Sequence, residues 1–381
     1  MASGARTLLL VCGLALAAGR AGAAEWSISP EFSTEIDHDS NRVLLADTPG
    51  SQSLSAALDL ALTRRTEESA LTISPHARLR RFTDNVEPSA DDYSVAVTMS
   101  HSLERAKLQF SADLADESTL TTELAQTGVV NLDASRVTRA ASAAWTFLSS
   151  ESRQFDASVS FQDVDYNGGY SGRLFGYRYG YASIAETFSL SSRWSLTTTG
   201  FATDLDSPQR GSTSREHGAS LGFQFDFSEY TQVSASLGLS QRDIAGRSDN
   251  GTTRNFSWSH HAETGEWRLD YAHSLVPFGT GVLEEQDNLQ LVLIKDFSRR
   301  LRAVSRLGLT RNRDAGFGFT FDSRTYRNGQ AELLWWLGEK WYVGADVGYA
   351  NAINFGAPRS YGGWTVGLRT TWSPNSRVIG H

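Results

Sequence analysis

The residue patterns that could carry chemistry are few and isolated from one another. The segment GASLG at 218–222 matches the Gly-x-Ser-x-Gly pattern of a nucleophilic serine. That chemistry needs a sharp strand-to-helix turn around the serine, whereas the residues flanking Ser220 alternate like those of a continuous strand. We therefore interpret this match as coincidental.

The histidines and acidic residues give no convincing metal or catalytic pattern. Histidines stand singly in predicted strands at His76, His101, His217 and His273, and the adjacent pair His260 and His261 would point to opposite faces of a strand. The segment DHDSN at 37–41 offers oxygen atoms suited to Ca²⁺ but lacks a complete ligand pattern, so a solvated loop is the favoured interpretation. We expect no catalytic residue, no cofactor, no metal and no enzyme activity.

The first 24 residues are predicted to be a signal peptide. Arg6 precedes the apolar stretch TLLLVCGLALAAG, and AGAA supplies small residues for cleavage just before Glu25 or one residue earlier. The single cysteine, Cys12, lies inside this leader. The remaining chain therefore has no disulfide or thiol chemistry available to it.

Composition narrows the class of protein that follows the leader. The formal net charge of −8 argues against a nucleic-acid partner. Beyond residue 24, no run approaches the ~18 apolar residues of a membrane helix. The chain has 33 glycines, 8 prolines and 11% aromatic residues, a composition that favours β structure.

Strand-like alternation recurs along the chain after the leader. In the segment 341–349, Trp341, Val343 and Val347 alternate with small or polar residues. The repeats predict about 18 strands, with about 16 as the alternative count, joined by connections that alternate between short and long. Short periplasmic turns and longer extracellular loops are typical of an all-β transmembrane antiparallel barrel in the outer membrane of a Gram-negative bacterium. We assign residues 25–372 to this barrel and 373–381 to a C-terminal extension.

Aromatic residues cluster at the short turns, as expected for rings at the level of lipid headgroups. The predicted girdle consists of Trp26, Trp145, Phe147, Trp194, Trp267, Trp335, Trp336, Trp341 and Trp372.

The faces opposite the apolar ones carry charges of both signs and are predicted to line a lumen. The pore-lining candidates are Asp59, Arg78, Arg80, Asp156, Arg178, Asp226, Arg268, Asp270, Arg302, Arg306, Glu332, Asp346 and Arg369. A ring this wide leaves an aqueous channel unless something plugs it. An alternative role for the same charges is cross-strand pairing that stabilises the wall. The longest connection, ESTLTTELAQTGVVNLDA at 117–134, could fold inward as a constriction, but a solvated outer loop is favoured.

Three regions carry a resemblance to a known family. The segments EWSISPEFSTEIDHDSNRVL at 25–44, STLTTELAQTGVVN at 118–131 with QFDASVSFQDVDY at 154–166, and GGWTVGLRTTW at 362–372 resemble porin-like bacterial outer-membrane barrels. Members of this family are often encoded beside exopolysaccharide synthesis and export systems. The resemblance implies a porin-like channel, with an exit duct for exopolysaccharide as its narrower form. A terminal strand ending at Trp372 resembles the signal read by the barrel-assembly machinery.

The expected partners are outer-membrane lipid, the barrel-assembly machinery, a polysaccharide or small solute, and periplasmic export proteins, but no nucleic acid. Two other functions stay open from the sequence. One is a non-conducting barrel that anchors or scaffolds an envelope complex. The other, less favoured, is a barrel enzyme acting on lipid.

Overall fold

The computed structural model describes residues 24–46, 48–83, 90–127, 130, 134–168, 174–244, 246–313, 324–354, 360–374 and 377–380. The predicted leader lies almost wholly outside these residues. Among them, no helix is long and apolar enough to cross a membrane.

Eighteen long strands and one short strand make up a single antiparallel sheet. They are β1 (Glu25–Asp39), β2 (Ser51–Arg65), β3 (Ser69–Phe82), β4 (Asp92–Ser102), β5 (Ala106–Ser118), β6 (Ala134–Ser150), β7 (Arg153–Gly168), β8 (Tyr177–Ser189), β9 (Trp194–Ser207), β10 (Ser212–Ser228), β11 (Thr231–Ile244), β12 (Arg247–Ala262), β13 (Gly265–Pro277), β14 (Leu283–Ser298), β15 (Leu301–Arg313), β16 (Arg324–Trp336), β17 (Trp341–Asn354), β18 (Ser360–Trp372) and β19 (Arg377–Gly380). A four-residue helix, α1 (Thr119–Thr122), follows β5.

The sheet closes on itself because the first and last long strands pair. Phe32 lies opposite Trp372, and the antiparallel register continues to Asp39 opposite Thr365. Closure leaves no unpaired sheet edge, which a strand would otherwise expose to hydrocarbon. The prediction of an 18-strand antiparallel barrel is confirmed. The tail after Trp372 adds β19, which pairs with the first residues of β1.

Side chains alternate between an apolar outer face and a polar inner face. On β2, Leu54 is 53% exposed on the outer face, whereas the neighbouring Ser53 is 1% exposed on the inner face. Ile184 on β8 and Leu368 on β18 are likewise exposed aliphatic side chains on the outer face. An apolar surface on every side of a closed barrel is stable only against acyl chains, because each square ångström exposed to water costs ~25 cal/mol.

The connections between strands at one end of the barrel are short, whereas many of those at the other end are much longer. The turns at 66–68, 103–105 and 337–340 belong to the short set, which marks the periplasmic end. At the opposite, outer end, the sequence pattern also predicts long loops over SPQRGSTSRE at 207–216 and DIAGRSDNGTT at 243–253. In the structure, β9 ends at Ser207 and β10 begins at Ser212, whereas β11 ends at Ile244 and β12 begins at Arg247. The prediction of long loops there was wrong because the polar residues of SPQRGSTSRE and DIAGRSDNGTT extend the strands beyond the membrane, where an outward polar face is solvated.

Candidate functional site: the barrel lumen

Twelve of the thirteen pore-lining candidates lie on the inner face. Pairing with buried or polar neighbours establishes their direction: Arg78 lies opposite Ala57 and Asp92, which are both buried inside the barrel. The inward-facing residues are Asp59, Arg78, Arg80, Asp156, Asp226, Arg268, Asp270, Arg302, Arg306, Glu332, Asp346 and Arg369. Whether they contact a solute stays a prediction.

Arg178 lies on the outer face, so its assignment to the lumen was wrong. Its strand neighbour Tyr177 is buried inside the barrel, and Arg178 itself lies opposite Asp163 and Asp206. The side chain of Arg178 is 63% exposed. Asp163 and Asp165 near the outer end also lie on the outer face. Both accept hydrogen bonds from Arg139, at 3.1 and 2.9 Å. These charges lie beyond the apolar belt, where strand alternation alone cannot separate a lumen from a headgroup region.

Several inward charges pair with each other along the wall. Glu332 is in contact with Arg369 and lies 3.9 Å from Arg306. His76 Nδ1 lies 2.6 Å from Asp59 Oδ1. Such pairs stabilise the wall while keeping it wettable, so the structural and lining roles of these residues coexist.

Two more lumenal contacts involve the periplasmic half. Arg302 Nε donates to Asp296 Oδ1 at 2.6 Å, and its guanidinium lies 5.7 Å from the centre of the Trp336 ring. Thr146 Oγ1 donates to Asp156 Oδ1 at 2.7 Å. Polar inner-face residues therefore continue to the short-turn end of the barrel.

Trp336 is the exception to the predicted girdle. It lies opposite Tyr342, whose hydroxyl approaches Glu31 inside the barrel, so its ring points inward. Adjacent residues on a strand point to opposite faces, and Trp335 takes the outward position at 57% exposure. The prediction for Trp336 was wrong because two consecutive tryptophans cannot both face lipid from one regular strand.

The other girdle residues lie on the outer face near the short turns. They are Trp26, Trp145, Phe147, Trp194, Trp267, Trp335, Trp341 and Trp372. Sequence reasoning missed Trp258, which lies outward beside Trp267 with ring centres 6.3 Å apart. Phe256, two residues earlier on the same strand, shares its face, and this period of two apolar aromatic residues was the signal that could have identified Trp258.

The connection between β5 and β6 folds into the lumen instead of extending into solvent. Asn312 Nδ2 on β15 donates to the Gln126 carbonyl at 2.8 Å, and Arg324 on β16 donates to the Leu124 carbonyl at 2.7 Å. In the ring of eighteen, β5 and β15 are ten strands apart in one direction and eight in the other, so the segment reaches the opposite wall. The favoured interpretation of 117–134 as a solvated loop was wrong; residues 128, 129 and 131–133 of it lie outside the described residues.

Glu123 fixes the end of α1 inside the barrel. Its side chain is fully buried and accepts from the Tyr166 hydroxyl at 2.7 Å and from the Thr127 hydroxyl at 2.8 Å. The guanidinium of Arg136 on β6 lies 3.5 Å away and supplies the countercharge. A buried carboxylate is tolerated when it is paired and hydrogen-bonded in this way.

A second segment, the tip of the β13–β14 hairpin, also folds inward. β12 pairs with β13 only as far as Arg254 opposite His273, while β13 and β14 stay paired to Pro277 opposite Leu283. The freed tip bends across the mouth of the barrel. There the Gly279 carbonyl accepts from the Phe175 amide at 2.7 Å, and the Gly281 carbonyl accepts from the Ser212 hydroxyl at 2.8 Å.

The two inward segments meet each other and enclose a small apolar core. A Cβ added at Gly279 would lie 2.9 Å from Glu123 Oε2 and 2.5 Å from the Tyr166 hydroxyl, so the approach requires glycine. The core beside them consists of Val164, Tyr177, Leu205, Ile244, Leu275 and Leu283. The outer half of the lumen is therefore narrowed by packed protein, whereas the inner half is lined by exposed polar side chains.

The candidate catalytic patterns do not assemble into a site. Ser220 lies within β10 with Gly218 and Gly222 and has no helix behind it. His76 faces the lumen, whereas His101 faces outward with its Nδ1 2.8 Å from Ser69 Oγ. No group of three histidine, cysteine or acidic residues within the described part of the chain could hold a metal.

The oxygen-rich segment 37–41 is already satisfied by protein donors. Asp37 accepts from Arg42 at 2.5 Å and from Ser53. Asp39 accepts from the Asn41 amide and from the Thr365 hydroxyl, each at 2.9 Å. These carboxylates therefore bind protein donors that stabilise the first loop and the seam between β1 and β18.

No protein-family model and no curated protein matches the sequence. Among solved structures, the chain is similar to Acinetobacter baumannii OccAB4, with a TM-score of 0.50, 10% identity, and coverage of 93% of this chain and 99% of that one. Pseudomonas aeruginosa OpdQ has a TM-score of 0.49 and 10% identity over 91% and 97% of the two chains. The P. aeruginosa outer-membrane protein opdK has a TM-score of 0.48 and 12% identity over 92% and 99%.

At these identities the likeness concerns the fold alone. The closed ring, the apolar outer face and the aromatic girdle supply the rest of the argument. The protein is a closed antiparallel β-barrel of eighteen long strands whose apolar exterior and aromatic girdle make it an integral outer-membrane protein.

Proposed function

We propose that the chain forms a water-filled channel that passes small polar solutes across the outer membrane. The observation that carries this proposal is the polar inner wall of the periplasmic half, where Arg268, Arg306 and Asp59 are each more than half exposed. Charged side chains at these positions are hydrated only when water fills the space they face.

The test is electrical conductance across a planar bilayer. Purified full-length protein should give discrete current steps that scale with salt concentration. Bilayers that stay silent, although the same preparation shows folded barrel by its heat-modifiable migration on gels, would contradict the proposal.

A specific observation favours a second candidate, a non-conducting barrel that anchors an envelope complex. The α1 segment, the β13–β14 tip and the apolar core occupy part of the outer lumen. A permanently blocked barrel would show no current and would co-purify with periplasmic proteins. Conductance without such partners decides for the channel.

The narrower form of the channel proposal is an exit duct for an exopolysaccharide, operating with periplasmic export partners. Its support is the family resemblance of 25–44, 118–131 with 154–166, and 362–372. The duct requires that deletion of the protein abolish surface polysaccharide while uptake of small solutes continues. Loss of uptake with normal surface polysaccharide would identify a general diffusion channel instead.

A further inference from the structure

The inner wall formed by β9 to β14 contains a recess that is separate from the inward-folded segments. It has a volume of 460 Å³, within the ~300–1,000 Å³ of ligand pockets. One row of paired residues crosses it, from Gly222 to Ser236, Asn255, Ala272 and Asn288 on successive strands. Small side chains on β10 and β11 make the hollow, and longer amides on β12 and β14 form its rim.

The recess is lined by one positive and one negative side chain, so its net charge is zero. Among the residues that line it, Arg268 and Asp270 are the charged ones, and Arg268 Nε lies 2.7 Å from Asp270 Oδ2. Ser257 also donates to Asp270, at 2.7 Å. An ionic solute would therefore meet a neutralised pair here, unlike the wall around Glu332, which lies between two arginines.

Much of the hydrogen-bonding capacity of the recess is unused. Asn288 Oδ1 has no hydrogen-bond partner among the described residues and has almost no exposed surface, so a ligand reaches it only when the Asn288 side chain rotates. Among the described residues, the side-chain amides of Gln224 and Gln290 make no hydrogen bond, whereas Asn255 Nδ2 donates to Ser236 Oγ at 3.1 Å. A side-chain amide has two N–H donors and one acceptor oxygen, so even Asn255 keeps one N–H and its oxygen available. A ligand that both donates and accepts at closely spaced atoms is the chemical complement of such a surface.

Aromatic rings lie on the inner wall beyond the edge of the recess, about 13 Å along the strand toward the outer end. Phe201 is four residues beyond Thr197 on β9, and a Cβ added at Gly218 would lie 2.8 Å from its ring carbon Cζ. Tyr181 on β8 faces the same way, opposite Thr203. Apolar ring faces in an aqueous lumen are costly unless a ligand covers them, and their negative π-faces attract the weakly positive C–H groups of a sugar ring.

We propose that this recess is a binding site for a neutral oligosaccharide, with one sugar unit held by the amides of Gln224, Asn255, Asn288 and Gln290 and a unit further along the same oligosaccharide stacked on the ring of Phe201. Sugar hydroxyls both donate and accept, and a pyranose presents an apolar C–H face for stacking. The assignment rests on the proposed function in one respect: the solute reaches the recess through the open lumen.

Equilibrium binding to the full chain in detergent micelles tests this assignment without requiring conduction. The detergent must have no sugar headgroup. The probes are short linear neutral oligosaccharides of glucose, of galactose and of mannose, with polyethylene glycol of matched size as the reference. At least one oligosaccharide should bind in preference to polyethylene glycol, and Asn288→Leu, Gln290→Leu and Phe201→Leu should each weaken it about fivefold to tenfold.

Gln109→Leu is the matched control, because Gln109 is an inward amide on β5, away from the recess. It should leave binding unchanged, and all four variants should keep heat-modifiable migration. Failure of every oligosaccharide to bind better than polyethylene glycol would overturn the assignment, as would an equal loss in Gln109→Leu. Tighter binding of a uronic-acid oligomer would overturn the choice of a neutral ligand. Current measured on the same preparation reports separately on the channel, so either idea can fail alone.

Discussion

Arg324 on β16 donates a hydrogen bond of 2.7 Å to the carbonyl of Leu124, a residue 200 positions earlier on the other side of the lumen. Together with Asn312 and Gln126, this contact holds the β5–β6 segment against the far wall. The width of the outer lumen therefore depends on a few identifiable bonds rather than on strand number alone.

Replacing Arg324 should widen the channel. A hydrogen bond to a charged group contributes ~1.5–3 kcal/mol, so Arg324→Ala releases one of the contacts that hold the segment across the lumen. We expect higher single-channel conductance and more frequent current fluctuations. Arg327→Ala, on the outer face of the same strand, is the control and should conduct like the unmodified protein. Identical traces for both variants would refute a constricting role for the segment.

The buried carboxylate of Glu123 should be needed to hold the β5–β6 segment inside the lumen. Glu123→Ala leaves Arg136 buried without its countercharge, a loss on the order of 3–5 kcal/mol for a buried pair. We expect the β5–β6 segment to become sensitive to protease added from outside, while the strands stay protected. Gly279→Val should have a similar effect, because its side chain would collide with the Tyr166 hydroxyl. Resistance of both variants to protease would show that this junction does not hold the segment.

The same substitution at two adjacent residues on β8 should reduce the stability of the barrel by very different amounts. Ile184 lies on the outer face at 64% exposure, so Ile184→Arg places a cation among acyl chains at a cost of about 2–4 kcal/mol near the midplane. Ala185→Arg places it in the lumen opposite Asp156 and should cost far less. Urea titration of barrels folded in lipid vesicles compares the two. Equal destabilisation would mean that the faces have been assigned wrongly.

Trp335 and Trp336 should differ in contact with lipid. Vesicles made with bromine-labelled acyl chains quench tryptophans that touch the bilayer. Trp335→Phe should reduce the quenchable fluorescence, whereas Trp336→Phe should leave it unchanged because that ring faces Arg302 inside the barrel. The reverse result would place Trp336 in the girdle.

Removing the tail should weaken the barrel seam without preventing closure. A chain ending at Trp372 keeps the pairing of Phe32 with Trp372 but loses the short contact of β19 with Ser27 and Ile28. We expect correct insertion with a lower temperature for loss of the compact form on gels. Failure of insertion would give β19 a role in assembly that the seam alone does not suggest.

Local alternation in the sequence was sufficient to predict the strands, the ring and most inward charges. On β17, the alternation of Trp341 and Val347 with Asp346 requires no knowledge of distant residues. Contacts across the lumen could not be predicted, because nothing near Leu124 indicates a partner at Arg324. Trp336 could have been assigned inward from its neighbour, whereas Arg178 lies beyond the membrane, where both faces are polar.

Cysteine scanning along β17 tests the central claim, a hydrated lumen inside an apolar exterior, most directly. The chain has a single cysteine, Cys12, so Cys12→Ser provides a thiol-free background. In vesicles, a water-soluble charged thiol reagent should label cysteines at 344, 346 and 348 and leave those at 343, 345 and 347 unreacted. Uniform labelling, or labelling of the second set alone, would contradict the account.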